Sequence, residues 1–343
     1  MKKNKKLLGV YSGILLGAVL LLGGCGSGNK AADTAKAATE TEPIKVAFYP
    51  NESAAEFEKS RTALKELIEE ATDRKTEIVT TTDYNIVVES IANGQVDMAF
   101  MGAEGYIEAN KKNDKVQPIL TTAGPSGTLD DALYYSFLAV SEKSGADYQK
   151  GDSYTIDGIK GKTMSFVSNS STSGFKVPSS EIVKQFGLKD ADELILEGKF
   201  FDKVLFGGSH QGSAVNLLKG DADVAAFMNM PQYFEVAEGK ENQTGMLYQV
   251  KADAAAPFDS VRGEKVRVIQ ATPVLNAPFA ANTEKLSDAT IKKIVTKLTS
   301  PEVAENPVLF APKGGDQIGL FTKGDKECFI EVTDSFYDPI RNL

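Results

Sequence analysis

Cysteine, histidine and positive charge are all scarce in this chain, and each scarcity argues against a class of function. There are two cysteines, Cys25 and Cys328, and one histidine, His210. The thiolate and imidazole ligands of the usual zinc clusters are therefore missing. The 38 basic and 47 acidic residues give a formal net charge of −9, which argues against nucleic acid or an anionic surface as the partner. A small anion is a different case, because a closed pocket responds to local dipoles more than to total charge.

Catalytic signatures are scarce as well. The sequence lacks the Gly-x-Ser-x-Gly elbow of serine hydrolases. A hydrolase triad could still be imagined from Ser173 or Ser209 with His210 and an aspartate. We expect a protein that is not an enzyme and needs no cofactor or metal, and we keep a phosphoester hydrolase as the alternative.

The N-terminus predicts export. Residues 1–6 contain four lysines, residues 7–22 are almost wholly apolar, and Cys25 follows two glycines. This pattern is typical of a signal peptide over residues 1–25, too short for a comfortable membrane span, and its end resembles a bacterial lipobox. Cys25 is then the lipidation site, although an ordinary cleaved signal peptide is the alternative. Residues 26–43 are small, polar and aperiodic and predict a flexible tether of roughly 25 Å, which would leave the protein lipid-anchored on the extracytoplasmic face of the cell membrane. With Cys25 lipidated, Cys328 has no disulfide partner, so stability must come from packing.

The remaining chain alternates strand-like apolar runs with helical patterns. Residues 44–48, 76–80 and 96–100 predict strands, and 54–71 and 83–92 predict helices. This βαβαβ order indicates a parallel sheet covered by helices on both faces. Because such sheets bind ligands beyond the carboxyl ends of their strands, the loops to watch are 49–53, which contains Ser53, 81–84, which ends at Tyr84, and 101–106, which begins at Met101.

The pattern then restarts, which predicts a second lobe. Residues 93–100 and 219–227 share one design, in which a helix end and a glycine precede an aspartate and a buried strand. We expect residues 283–343 to be mostly helical. Residues 135–140 and the apolar run near Phe279 are the candidates to cross between the lobes. If both do, the fold is an α/β two-lobed clamshell with two hinge strands. Lobe 1 is then 44–136 plus 278–343, and lobe 2 is 137–277.

A cluster of hydroxyl residues is the strongest candidate for a binding site. Residues 168–174, Ser-Asn-Ser-Ser-Thr-Ser-Gly, follow the predicted strand 163–167 and precede a predicted helix, 180–186. The first turn of a helix has free N–H groups and partial positive charge, which favour an oxyanion. Ser171, Thr172 and Ser173 would add hydroxyl donors. Simple helix capping by the same residues is the alternative interpretation.

Several segments, taken in order, resemble a known family. They are Val46-Ala47-Phe48, Asp83-Tyr84, Val96-Asp97-Met98-Ala99-Phe100-Met101-Gly102, Ser171-Thr172-Ser173-Gly174 followed by Val177-Pro178, Gly208-Ser209-His210 and Asp223-Val224-Ala225. The set resembles the phosphonate, phosphite and phosphate-binding proteins of ABC importers. The most specific part is the Ser-Thr-Ser-Gly loop paired with a downstream Gly-x-His.

The resemblance implies a fold, a site and partners. The fold would be the type II periplasmic-binding-protein clamshell, which closes on one oxyanion. Ser171, Thr172, Ser173, His210 and Tyr84 are expected to hold the oxygens bound to phosphorus. The partners would be a small phosphorus oxyanion and an ABC permease with its ATPase, and the protein is expected to be a monomer. A surface ligand sensor without a transport role would have the same pocket.

Two further candidates concern the ligand's tail. Relatives that bind aminoalkylphosphonates resemble one another in using acidic side chains for the amine, whereas this chain has Asn276 in the corresponding loop, and Met101 where many relatives have an aromatic residue. An uncompensated ammonium group in a closed cleft would cost several kcal/mol. We therefore predict a ligand without an ammonium tail, unless Glu52, Glu104 or Asp223 supplies the countercharge.

Overall fold

Two β-sheets form the framework of the protein. A computed structural model describes residues 42–52, 54–315 and 317–343. The predicted signal peptide with Cys25, most of the tether and Ser53 lie outside these described residues. The strands, in chain order, are β1 Ile44–Phe48, β2 Thr76–Thr80, β3 Met98–Phe100, β4 Val116–Thr122, β5 Leu133–Ser141, β6 Gln149–Lys150, β7 Ser153–Tyr154, β8 Thr163–Phe166, β9 Lys203–Phe206, β10 Val224–Met228, β11 Phe234–Glu238, β12 Leu247–Val250, β13 Lys265–Leu275, β14 Phe279–Asn282, β15 Phe310–Pro312, β16 Phe321–Lys323 and β17 Phe329–Glu331.

Helices lie between these strands, as the alternating pattern predicts. They are α1 Glu58–Thr72, α2 Tyr84–Ala92, α3 Ala103–Lys112, α4 Val177–Phe186, α5 Asp192–Ile195, α6 His210–Leu218, α7 Asp288–Leu298, α8 Pro301–Ala304 and α9 Asp338–Arg341. The short 3-10 segments are Ala55–Phe57, Glu142–Tyr148, Asp157–Ile159, Asp259–Val261 and Asp334–Tyr337, and one π-helical turn covers Thr172–Lys176. Among the described residues, no helix combines the length and hydropathy that a bilayer span requires.

The first sheet has the strand order β17-β4-β14-β3-β1-β2. Strand β1 pairs in parallel with β2 and β3, and β14 joins from late in the chain, antiparallel to both β3 and β4. Because β1, β2 and β3 run in one direction, their carboxyl ends meet at one edge. The loops beginning at Tyr49, Thr81 and Met101 therefore share that edge, as the sequence predicts.

The second sheet has the order β11-β12-β13-β5-β10-β8-β9. Strands β9, β8 and β10 are parallel, and β5 and β13 form a long antiparallel pair from Leu133 opposite Leu275 to Ser141 opposite Val266. The chain crosses between the sheets twice, after β4 through residues 123–132 and after β13 through 276–278. We call the parts built around the two sheets the first and second lobes, and the two crossings the hinge.

Apolar side chains are buried on both faces of each sheet. In β1, Val46 and Phe48 pack on one side with α1 and α7, while Ala47 packs on the other with α2 and α3. In the second sheet, alternate residues of β5 and β10 divide in the same way between two apolar clusters. Burial on both faces explains why these strands are continuous apolar runs rather than alternating patterns.

Two expectations about helices need correction. Residues 283–343 are not mostly helical, because three strands, β15, β16 and β17, lie there beside α7, α8 and α9. The pattern of residues 213–219 predicts a helix that begins at Ser213, after a glycine-rich loop that contains His210. Helix α6 instead begins at His210, so the histidine is the first residue of a helix. Ser209 caps this helix by accepting a hydrogen bond from Gly212 N–H at 3.0 Å, a local signal that permits an earlier start.

The lobes touch each other in this structure. Val167 and Val177, from the second lobe, belong to the same buried cluster as Tyr84 and Ala103 of the first lobe. The lobes are therefore closed on one another, and the polar residues between them can be described contact by contact.

Candidate functional site

The Ser/Thr cluster forms a tight turn between β8 and α4. Ser171 is its N-cap: the hydroxyl accepts a hydrogen bond from Gly174 N–H at 3.1 Å, and the backbone carbonyl accepts from Phe175 and Lys176. A Cβ atom at Gly174 would lie 2.3 Å from Val167 Cγ2, so this position requires glycine. Residues 170–174 are all buried. The predicted capping therefore does occur, and it holds the hydroxyls of the next two residues at the lobe interface.

Thr172 completes a helix that belongs to the other lobe. Helix α3 begins after Gly102, a position without a side chain to cap it. The Thr172 hydroxyl accepts a hydrogen bond from Glu104 N–H at 2.9 Å and so takes the place of a capping residue. A Cβ atom at Gly102 would lie 2.7 Å from Thr172 Oγ1, closer than real Cβ contacts. The positive end of α3 thus faces the Ser/Thr turn across the cleft.

Ser173 lies at the centre of a second group of polar contacts. Its hydroxyl is 3.3 Å from His210 Nε2 and accepts a hydrogen bond from the Tyr134 hydroxyl at 3.1 Å. The Ser136 hydroxyl donates to the Ser173 carbonyl at 2.6 Å. Tyr134 and Ser136 come from β5, Ser173 from the turn after β8 and His210 from the start of α6, so the tertiary structure brings together three separate segments of the second lobe.

His210 is buried and electrically neutral in the closed protein. It is 3% exposed, and burial lowers its pKa to about 3. Its Nδ1 atom has no hydrogen-bond partner among the described residues. A buried imidazole nitrogen without a partner is costly. With the proton on Nδ1, an oxygen of an anionic ligand would accept the missing hydrogen bond.

Asn51 connects the two lobes beside His210. Its side-chain amide donates to the Tyr84 hydroxyl at 2.6 Å, and its side-chain oxygen accepts from His210 N–H at 2.9 Å. Gln211 Nε2 adds a 3.3 Å hydrogen bond to the Asn51 carbonyl. Tyr84 and His210, both predicted as ligand contacts, are thereby linked through one residue.

Burial keeps the phenols of the cleft protonated. Burial is the main cause of both pKa shifts: it raises the pKa of Tyr84, and it raises the pKa of Tyr134 to about 12. The negative charge of Glu52 contributes to both shifts, so Glu52 lies within electrostatic reach of these two hydroxyls. Burial also raises the pKa of Glu52 to about 8, which makes its carboxyl mainly neutral at pH 7.

The remaining predicted site residues lie apart from this group or cannot be placed. Met101 is fully buried in the first-lobe cluster beside Gly105, and Asn276 donates to the Thr122 carbonyl at 2.9 Å in the hinge. A ligand contact by either residue stays a prediction. Ser53 and Cys25 fall outside the described residues, so their roles stay predictions as well.

Sequence reasoning missed Asn51 and Tyr134 as candidates. Asn51 lies in the loop after β1 that the strand order had indicated, but nothing in its local pattern distinguishes it from its neighbours. Tyr134 lies in β5, one residue before the run 135–140 that is predicted to cross between the lobes, and carries no local signal. A second missed bridge joins the lobes where the Ser170 hydroxyl donates to Asn85 Oδ1 at 2.7 Å.

Comparison with known proteins agrees with this arrangement. A family model described as "ABC transporter, phosphonate, periplasmic substrate-binding protein" matches residues 46–337. The chain belongs to this family. As a phosphonate-binding-family protein it is an extracytoplasmic substrate-binding component of an ABC transporter, and both the family and the transport role that the sequence predicts are confirmed.

Individual relatives give the same answer for the sequence and for the fold. The phosphate-import protein PhnD of Mycolicibacterium smegmatis is 25% identical over 331 residues, covering 95% of this chain and 92% of the relative. PhnD1 of Prochlorococcus marinus, solved in complex with methylphosphonate, matches with a TM-score of 0.60 at 15% identity, covering 88% and 96% of the two chains. A binding protein component of a Pseudomonas aeruginosa ABC phosphonate transporter matches with a TM-score of 0.59 at 17% identity, covering 88% and 85%. The two-lobed clamshell of type II periplasmic-binding proteins is thus confirmed for this phosphonate-binding-family protein.

Proposed function

We propose that the cleft binds a phosphorus oxyanion without an ammonium tail, such as phosphate, phosphite or methylphosphonate. Ser171, Thr172, Ser173, His210 and Tyr84 would hold the oxygen atoms. The ligand's preference for the closed form would shift the lobes toward the state that the permease recognises. The predicted lobes 44–136 plus 278–343 and 137–277, attached through lipidated Cys25, would fit this role, with residues 133–136 joining the second lobe through their place in β5.

The observation that carries the proposal is the contact of Thr172 with helix α3. The 2.9 Å hydrogen bond from Glu104 N–H brings a hydroxyl turn of one lobe against the positive helix end of the other. Amide dipoles and hydroxyl groups then converge from both sides. Such donors favour an anion small enough to touch both lobes at once.

The acidic residues near the cleft support a ligand with no ammonium group. Asp223 accepts from Thr163 N–H at the start of β8, which is the opposite end from the ligand-binding edge. Glu104 Oε1 is 3.8 Å from Lys176 Nζ, which compensates part of its charge, whereas Oε2 is buried without a hydrogen-bond partner among the described residues. Glu52, with its pKa raised to about 8 by burial, provides little negative charge at pH 7.

The proposal is tested by calorimetric titration of the purified protein at pH 7. Methylphosphonate, phosphite and phosphate are compared with 2-aminoethylphosphonate, which has the same headgroup and an added amine. We expect at least one of the first three ligands to bind in the micromolar range or tighter. The aminated ligand should bind at least about tenfold more weakly than that ligand. Tighter binding of 2-aminoethylphosphonate would contradict the proposal for the tail.

The same titration with His210→Ala tests the headgroup contacts. Loss of a charge-assisted hydrogen bond in a closed site should weaken binding about tenfold or more. Ser335→Ala, at an exposed position whose hydroxyl contacts Thr333 Oγ1 at 3.2 Å, serves as the control and should leave the affinity unchanged. An unchanged affinity in His210→Ala would remove the imidazole from the site.

The geometry gives little support to the hydrolase alternative. A triad needs a carboxylate that orients the imidazole through its second nitrogen. Among the described residues no side chain hydrogen-bonds His210 Nδ1. We therefore propose that the protein binds its ligand without chemically changing it.

A further inference from the structure

We infer that Asn51 is a positioning residue that makes Tyr84 a hydrogen-bond donor to the ligand, and that it does so only when the lobes are closed. The inference rests on the proposed function, because it takes Tyr84 as a ligand contact. It adds a residue that links closure to the polarity of the binding site.

The orientation of the Asn51 amide follows from its partners. The backbone N–H of His210 can only donate, so the atom 2.9 Å from it must be the amide oxygen. The amide nitrogen is then the atom 2.6 Å from the Tyr84 hydroxyl. An Asn side chain can usually be reversed without a visible change in shape, and here the contact with the opposite lobe removes that freedom.

The orientation of the amide determines the direction of the Tyr84 proton. The amide nitrogen only donates, so the Tyr84 oxygen accepts and its own hydrogen must point elsewhere. Asn51 contacts this phenol at 2.6 Å, and Asn51 and Ser171 both lower its pKa against the larger effect of burial. With Asn51 acting as a donor, the hydrogen is available to the Ser171 side, where the proposed oxyanion lies.

Closure is required for this effect. Asn51 and Tyr84 both belong to the first lobe, whereas His210 belongs to the second. In an open form the amide loses the N–H group that fixes its oxygen, and Tyr84 can donate to it instead. Only the closed protein therefore presents Tyr84 as a donor, which favours an ionised ligand oxygen over a P–OH group at this position.

Asn51→Asp tests the inference with almost no change in shape. One carboxylate oxygen still accepts from His210 N–H, while the other accepts the Tyr84 proton and turns it away from the ligand. We expect methylphosphonate and phosphate to bind about thirtyfold more weakly in calorimetry. Asn85→Asp adds the same charge at another asparagine that bridges the lobes through its oxygen. Because Asn85 is exposed whereas Asn51 is 5% exposed, its effect should be about threefold or less.

A double-mutant cycle with Tyr84→Phe separates the role of the tyrosine from simple repulsion. If Asn51 acts through Tyr84, the excess loss in Asn51→Asp over Asn85→Asp disappears in the Tyr84→Phe background. An excess that persists there, while Tyr84→Phe alone weakens binding, would overturn the inference about Asn51 and leave the proposed function intact. Unchanged binding in Tyr84→Phe alone would remove Tyr84 from the site and overturn the inference, whereas the proposed function would fail only if the wild type did not bind methylphosphonate, phosphite or phosphate.

Discussion

The two lobes share one local arrangement, an aspartate that fixes the start of a neighbouring strand just before β3 in the first lobe and just before β10 in the second. Asp97 Oδ2 accepts a hydrogen bond from Lys45 N–H at 2.7 Å, and Asp223 Oδ2 accepts from Thr163 N–H at 2.8 Å. In each case the aspartate N–H also donates to the carbonyl of the same partner residue at 2.9 Å. The strands that follow, β3 and β10, each have a parallel neighbour on one side and an antiparallel one on the other.

The lobes differ in the loops at the opposite ends of their strands. The second lobe contributes the hydroxyl turn after β8 and the capped start of α6 after β9, whereas the first contributes Asn51, Tyr84 and the uncapped start of α3. The second lobe therefore supplies a hydroxyl turn that is capped by its own Ser171. The first lobe supplies the start of α3, which is capped only by Thr172 of the second lobe. Because the two lobes share a scaffold but carry complementary loops, the polar contacts of the cleft form only when both lobes are closed on each other.

The largest expected effect tests how similar the two aspartates are. Asp97 is 6% exposed, whereas Asp223 is exposed. Asp97→Ala leaves a poorly solvated N–H group without a partner and should lower the free energy of unfolding by about 2 kcal/mol. Asp223→Ala, in which water can replace the carboxylate, should cost about 0.5 to 1 kcal/mol. Equal losses in urea denaturation would contradict the role of burial in this comparison.

The second prediction concerns the pH dependence of the cleft without ligand. Because burial lowers the pKa of His210 to about 3, the unfolded chain binds the extra proton first, below a pKa of about 6.5. This contribution to stability is complete above pH 6.5 and is lost as the pH falls. Between pH 6.5 and 5 the wild type should lose about 2 kcal/mol relative to His210→Gln. Parallel stability curves for the two proteins, measured by urea denaturation, would show that His210 is solvated rather than buried.

The third prediction breaks the contact between the Ser/Thr turn and α3. Thr172→Val keeps the shape but leaves Glu104 N–H without its acceptor, so ligand affinity should fall about tenfold. Thr322→Val, on an exposed position of β16, is the matched control and should bind as the wild type does. The affinities are compared by titration with methylphosphonate. A wild-type affinity in Thr172→Val would mean that the ligand does not need this turn.

The smallest expected effect comes from the ion pair at the edge of the cleft. Lys176 Nζ and Glu104 Oε1 are 3.8 Å apart across the lobe interface, and the Lys176 side chain is 27% exposed. Lys176→Met should weaken ligand binding about threefold or less, and 0.5 M NaCl should reduce the difference. A loss as large as that in Thr172→Val would show that the ion pair, rather than the hydroxyl turn, holds the lobes together.

Much of the fold could be predicted because its signals are local. Strands β1 and β2 match the predicted boundaries, and Asp83 caps α2 by accepting from Asn85 N–H at 2.7 Å. The C-terminal part was harder, since β15, β16 and β17 are only three residues each and owe their conformation to pairing with partners elsewhere. Such short strands leave no periodic pattern to detect.

The sequence by itself determined the alternation of helices and strands from β1 to β3, the resemblance to an oxyanion-binding family and the hydroxyl turn, because periodicity, capping and glycine act over a few neighbouring residues. Only the tertiary structure decided which groups meet across the cleft. Thr172 and Glu104 are 68 positions apart, and Asn51 and His210 are 159 apart. Contacts over such distances depend on how two separately formed sheets close on each other, and no local pattern records that geometry.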